Sequence, residues 1–275
     1  MNIQKIGTES LSYPSFYNFI SNSKNKVDGY IVDKRHKELS SINGVLYSKN
    51  FETLYAVPDN MTGTLVLPLE TKYIFVNAFR NCRINQVIGM GVETIERDAF
   101  MKSFISKVQF PSIQLVGAGA FRYCLDLQEV TLSQIVTIHE FAFASSGIQY
   151  LKIPSTLNII CKGAFMGCQD LEEVEIEDRT SRLYIKSEVF ENCYKLKKFI
   201  FSHGMLTLDT KVFKGDSKLE KVILPCVEKI SGSAFHKCTS LKKISIESKC
   251  KLPKSLQNQS YTIEIRNSDN NKSNK

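Results

Sequence analysis

A small residue followed by phenylalanine recurs through most of the chain: Ala78-Phe79, Ala99-Phe100, Ala120-Phe121, Ala142-Phe143, Ala164-Phe165, Val189-Phe190, Val212-Phe213 and Ala234-Phe235. Successive phenylalanines lie 21, 21, 22, 22, 25, 23 and 22 residues apart, so eight copies of one unit follow each other. A unit of that length cannot bury its own apolar face. Neighbouring units must stack and share a continuous core, which predicts one solenoid domain.

The rest of the unit fits this constraint. Four residues before each small residue stands an aliphatic one: Ile74, Ile95, Val116, Ile138, Ile160, Ile185, Leu208 and Ile230. Downstream come the alternating segments "ISKVQFP", "LQEVTLS", "IQYLKIP", "LEEVEIE", "LKKFIFS", "LEKVILP" and "LKKISIE", which begin at Ile105, Leu127, Ile148, Leu171, Leu196, Leu219 and Leu241. Apolar residues at their first, fourth and sixth places give the period of a short strand with one face buried. The segment after Phe79, "INQVIGM", departs from this because Gly89 stands where an apolar side chain is expected. Each turn should therefore supply a strand, a corner, a second extended piece ending at the aliphatic position, and a short helical turn carrying the phenylalanine into an interior column. Three residues after each pivot phenylalanine stand Cys82, Ser103, Cys124, Ser146, Cys168, Cys193, Asp216 and Cys238. The five cysteines of this set read as rungs of a buried packing column, since a free buried Cys behaves as a small hydrophobe with a weak donor.

The copies "IPSTLNIICKGAFMGCQDLEEVEI" and "LPCVEKISGSAFHKCTSLKKISI" resemble the BspA-like (Treponema pallidum type) leucine-rich repeats, and the likeness runs over about residues 63–248. It implies an α/β fold: a leucine-rich repeat solenoid of about eight 21–25-residue repeats, with a short-strand sheet on one face and short helical turns carrying the Ala-Phe pivot. Tyr30–Pro58, built around "NGVLYSK", resembles the segment that precedes the repeats in this family. The expected organisation is an N-terminal region, 1–28, serving as a cap, a strand and hairpin over 29–62, repeats over 63–248, a closing strand within 249–266 and a disordered polar tail at 267–275. Departures fall at Val189 and Val212, which replace alanine, and in the 25-residue copy with its charged insertion "EDRTSR". Family members are surface proteins of bacteria and mucosal protists with roles in adhesion and aggregation. The resemblance thus implies a non-enzymatic, adhesin-like protein binding a host or matrix protein, and a surface location even where no leader is evident.

Read without the resemblance, the sequence excludes more than it assigns. The net charge of +8 comes from lysines spread along the chain, with no run of five or more cations, so it marks no basic tail. The start "MNIQKIGTESLSYPSFYNFI" lacks the charged segment and apolar run of a secretory signal, and no window approaches 18 apolar residues, which makes a cytoplasmic location the default. No metal site is expected, because Cys161 and Cys168 are seven apart and no C-x2-C or His-x3-His pair occurs. No cofactor is expected either, and no recurring His or Asp could orient Cys161 as a nucleophile, so no catalytic residue is assigned.

What remains is the surface. Residues alternating with the buried strand positions should face outward in two columns: Lys107, Glu129, Tyr150, Glu173, Lys198, Lys221, Lys243, and Gln109, Thr131, Lys152, Glu175, Ile200, Ile223, Ser245. Tyr150, Lys152 and the acidic rung Glu173, Glu175 and Glu177 precede a basic stretch, Lys198, Lys221 and Lys243, beside Ile200 and Ile223. Two readings stand: a solvated face with Glu–Lys pairs across strands, or a protein-binding patch of exposed isoleucines beside one sign of charge. An intracellular scaffold would use the same face. A nucleic-acid binder is disfavoured because only Tyr150 offers an aromatic among these lysines.

Overall fold

The computed structural model describes residues 2–8, 18–19, 27–247 and 261–266. The expected tail at 267–275, residues 249–260 and most of 1–28 lie outside these. The chain divides into two compact units, Met1–Ser133 and Gln134–Lys275, each a solenoid of stacked strands.

In Gln134–Lys275 one parallel sheet runs in chain order through Tyr150–Ile153, Glu173–Ile176, Lys198–Phe201, Lys221–Leu224, Lys243–Glu247 and Thr262–Arg266. A second holds Thr137–Ile138, Ile159–Ile160, Arg182–Ile185, Met205–Leu208 and Cys226–Ile230. Each coil thus gives one strand to each sheet, and equivalent positions stack: Val174 lies opposite Phe199, Phe199 opposite Val222, and Val222 opposite Ile244, all buried. The same alternation that buries these residues turns their neighbours outward.

Met1–Ser133 repeats the plan with Gly63–Val66, Ile84–Ile88, Lys107–Gln109 and Glu129–Val130 in one sheet. Its other sheet begins with the hairpin Leu39–Ile42/Val45–Ser48, closed by Asn43 and Gly44 at φ of 50° and 80°. Positive φ at both central residues is the turn that matches strand twist, which is why Asn-Gly stands there. The antiparallel strand Thr53–Ala56 follows and switches the sheet to parallel pairing with Tyr73–Ile74. Ile3–Ile6 pairs separately with Gly29–Val32. Gly89, the irregular strand position, has a packing cause: a Cβ there would lie 2.6 Å from the Val92 side chain and 3.1 Å from the Phe110 ring.

The pivots are not helical, which corrects the expected helical turns; among the described residues only 18 and 19 are in a helix. The backbone gives the reason. At seven of the eight phenylalanines the residues two before and two after take the left-handed conformation: Asn77 and Asn81, Asp98 and Lys102, Gly119 and Tyr123, Phe141 and Ser145, Gly163 and Gly167, Glu188 and Asn192, Lys211 and Gly215; at Phe235 only Lys237 does. A right-handed helix cannot pass through two such residues. Alternation of the hydrogen bonds follows: Ala164, Met166 and Cys168 donate three residues back, to Cys161, Gly163 and Phe165, whereas Gly163, Phe165 and Gly167 donate to Ser187, Val189 and Glu191 of the next coil. Helical bonding would consume every N–H within the coil and leave none to hold the next. The ladder also reveals a coil ahead of the first phenylalanine, where Val57 takes the pivot place and donates to Ala78 at 3.0 Å.

Locked in this register, the pivot rings stack nearly parallel. Centroids are 4.4 and 4.8 Å apart for Phe79–Phe100 and Phe100–Phe121, and 5.1, 5.6, 5.5 and 5.2 Å apart along Phe143, Phe165, Phe190, Phe213 and Phe235. All eight are buried. The longest coil spends its extra residues on Arg179, whose guanidinium turns inward and donates to the carbonyls of Leu157 and Pro154. Phe190 touches Phe165, Phe199 and Phe213 at once, so Phe190→Ala should cost about 3–5 kcal/mol in urea unfolding. A loss under about 1 kcal/mol would show that the ring column does not carry the core.

Candidate functional site

The parallel register aligns the outward residues of Gln134–Lys275 into the two columns read from sequence: Tyr150, Glu173, Lys198, Lys221, Lys243, and Lys152, Glu175, Ile200, Ile223, Ser245. Neighbouring rungs neutralise each other. Glu173 pairs with Lys198 at 2.8 Å, Lys152 with Glu177 at 3.4 Å and Lys243 with Glu264 at 2.8 Å, and one turn outward Glu172 pairs with Lys197 at 2.8 Å. The Tyr150 hydroxyl donates to Glu175, and that bond pushes its pKa up to about 12. Exposed pairs of this kind add little to stability, because solvent screens them. Their larger effect is to remove net charge from the face.

Two expectations change as a result. Of Lys198, Lys221 and Lys243, only Lys221 has no carboxylate at ion-pair distance among the described residues, so the basic stretch reduces to a single uncompensated ammonium. Ile200 and Ile223 face outward in adjacent register but are half-buried, flanked on the sheet by Glu175 and Ser245. In-register neighbours on both sides shield a side chain in the middle of a sheet, which an end-on reading of alternation does not count.

Inside, the cysteine column has a specific bonding role. Cys82, Cys124, Cys168, Cys193 and Cys238 are free, buried, and donate S–H to the main-chain carbonyl of the preceding pivot: Val57, Phe100, Phe143, Phe165 and Phe213 at 3.4, 2.9, 3.1, 3.2 and 2.9 Å. Where serine replaces cysteine, Ser103 and Ser146 bond to the next thiols, Cys124 and Cys168. Burial pushes the thiols up, to about 12 for Cys124 and Cys238 and about 11 for Cys168, so they are poor nucleophiles. Cys226, outside the column, is disulfide-bonded.

One juxtaposition was not legible from local spacing. His139, Glu140 and Cys161 come together on the sheet edge that precedes the pivot, with one donor atom of each within 4.8 Å of the others. His139 and Cys161 follow the paired residues Ile138 and Ile160, so their separation of 22 residues is one coil. A search for ligands a few residues apart passes over it; the repeat alignment contains it.

The stacked two-sheet coils, left-handed pivots and S–H column define a leucine-rich repeat solenoid. Residues 59–172 and 136–264 match the BspA type leucine-rich repeat region, and the chain belongs to that family. In fold it is similar to the pneumococcal vaccine antigen PcpA, with a TM-score of 0.51 and 14% identity over 97% of this chain and 56% of that one. It is likewise similar to the T. pallidum leucine-rich repeat protein TpLRR, with a TM-score of 0.55 and 19% identity over 61% of this chain and 82% of that one. The chain thus spans little more than half the length of the pneumococcal protein. No curated protein matches it.

Asp216 is the strained member of the interior column. Its Oδ1 accepts the Cys193 N–H at 2.8 Å, its Oδ2 has no hydrogen-bond partner among the described residues, and burial pushes its pKa well above the ordinary value. A raised folded pKa means that its contribution is fully present below the unfolded value near 3.8 and is lost as pH climbs through the folded value. Asp216→Asn keeps the acceptor and cannot ionise. Its Tm should exceed that of the natural chain at pH 8, with the gain shrinking toward pH 4; a pH-independent difference would refute the buried titration.

Proposed function

We propose that this chain is a non-enzymatic, protein-binding repeat protein that acts as an adhesin at the cell surface, with the outer strand face of Gln134–Lys275 as its docking surface. The observation that carries the reading is the rung where Ile200 and Ile223 meet in register beside Lys221. There a partner finds apolar area and one ammonium not yet spent on a carboxylate, while Glu173, Lys198, Lys243, Tyr150, Lys152, Glu175 and Glu177 form a polar surround. Apolar centre and polar rim is the common anatomy of a protein interface. A partner with an acidic side chain next to an apolar one fits it.

Several observations support the surface assignment. Leucine-rich repeat proteins of this type are protein-interaction modules, and the pneumococcal relative in fold is a vaccine antigen. Among the described residues no helix is long and apolar enough to cross a membrane. Neutralisation of the outward lysines by cross-strand carboxylates argues against a phosphate backbone as partner.

Antibody labelling of intact against permeabilised cells separates the adhesin from an intracellular scaffold: labelling of intact cells is expected, and labelling only after permeabilisation would leave the scaffold. On immobilised matrix proteins, Lys221→Glu and Ile223→Asp should each lower binding by about 2 kcal/mol or more, as residues at an interface centre do. Lys107→Glu, whose lysine pairs with Glu129 in the other unit, should leave binding unchanged. Unchanged binding by all three variants would remove this face.

A further inference from the structure

We propose that His139, Glu140 and Cys161 form a three-ligand site for a divalent transition metal, with Zn2+ as the ion the donor set fits best. One imidazole nitrogen, one carboxylate oxygen and one thiol sulfur lie within 4.8 Å of one another, and His139 Nδ1 is 3.7 Å from Glu140 Oε2. The backbone beneath them is fixed: Ile138 and Ile160 pair in the parallel sheet, and the Cys161 N–H donates to the Ile138 carbonyl at 2.9 Å.

Cys161 has no packing reason to be cysteine. The position after the aliphatic residue is Phe75, Glu96, Gly117, His139, Lys186, Asp209 and Ser231 in the other copies, so it is an outward place with no common demand. The five column thiols are buried and occupied as donors to main-chain carbonyls, whereas Cys161 is half-exposed and carries no such bond. Lys162 pairs with Glu188 at 3.3 Å, whereas the Lys186 ammonium, 5.8 Å from the Tyr184 ring centroid, also acts on Cys161 as a nearby positive charge.

Zinc bonds of about 2.0–2.3 Å to N, O and S put tetrahedral donors about 3.5 Å apart. His139 and Cys161 are half-exposed and Glu140 is exposed, so rotation of the side chains would close the donors to that spacing. As the metal–sulfur bond forms, the thiol proton leaves to solvent; one thiolate and one carboxylate then balance the ion's two charges, with neutral imidazole as third ligand and no change of oxidation state. A sulfur–nitrogen–oxygen set discriminates against Mg2+ and Ca2+, which take oxygen ligands. Three protein ligands leave the fourth position for water or for a donor from a docked molecule.

The test uses the full chain, stripped with chelator and kept reduced with a non-chelating phosphine. Titration with Co2+ should give a thiolate-to-metal charge-transfer band that saturates at one equivalent and is bleached by Zn2+. Cys161→Ser should abolish the band, and His139→Ala and Glu140→Gln should each weaken Zn2+ binding at least about tenfold in competition with a chromophoric chelator. Circular dichroism checks that each variant is folded, and Lys162→Ala should bind as the natural chain does. Absence of the band in the natural chain, or a band that persists in folded Cys161→Ser, would overturn the site.

Discussion

Every rung of this structure depends on how the pivot divides its amide hydrogens. Residues alternate between closing a turn on their own coil and bonding to the next coil, as Ala164 and Phe165 do. At seven of the phenylalanines that division goes with left-handed backbone on either side, at a cost of roughly 1–2 kcal/mol for each residue that is not glycine. Glu188, Asn192 and Lys211 accept this strain. In return the main chain sets the coil spacing, and ring stacking, the S–H column and the outer sheet all inherit it.

The outer face follows from the same spacing. Because equivalent residues stand one strand apart, a carboxylate in one coil and a lysine in the next are within reach of each other, and most find each other. The surface is thereby self-neutralising. What is left over, Lys221 beside Ile200 and Ile223, stands out because its neighbours are spent. The interior shows the reverse logic: Asp216 takes a rung that elsewhere holds a thiol or hydroxyl, and its second oxygen meets no donor among the described residues.

The eight phenylalanines were enough to read the solenoid, the buried strand positions and the outward columns, since each rests on a period that recurs in the sequence. Pivot conformation was not readable. Glycine marks a left-handed residue at 119, 163, 167 and 215, but asparagine, aspartate, serine, lysine, glutamate, tyrosine and phenylalanine occupy the others, and tertiary bonding overrides their preference. The Val57 coil was hidden because valine replaced the marker residue. Charge along a column was readable, but the compensation of Lys198 and Lys243 needed side-chain reach. His139 and Cys161 were adjacent all along in the repeat alignment, one period apart, where ligand searches by short interval do not look.

The amide ladder has a direction. Within each unit the pivot offers carbonyls to the coil before it and N–H groups to the coil after it, with the same spacing at each step. A coil is therefore an interchangeable part: gene duplication or loss of one whole period restores the same bonds at the join, while insertion of half a period does not. Lineages carrying this fold can lengthen or shorten it in quanta of a repeat, and the number of outward rungs, hence the reach of the contact surface, becomes a quantity that recombination adjusts without redesigning the core.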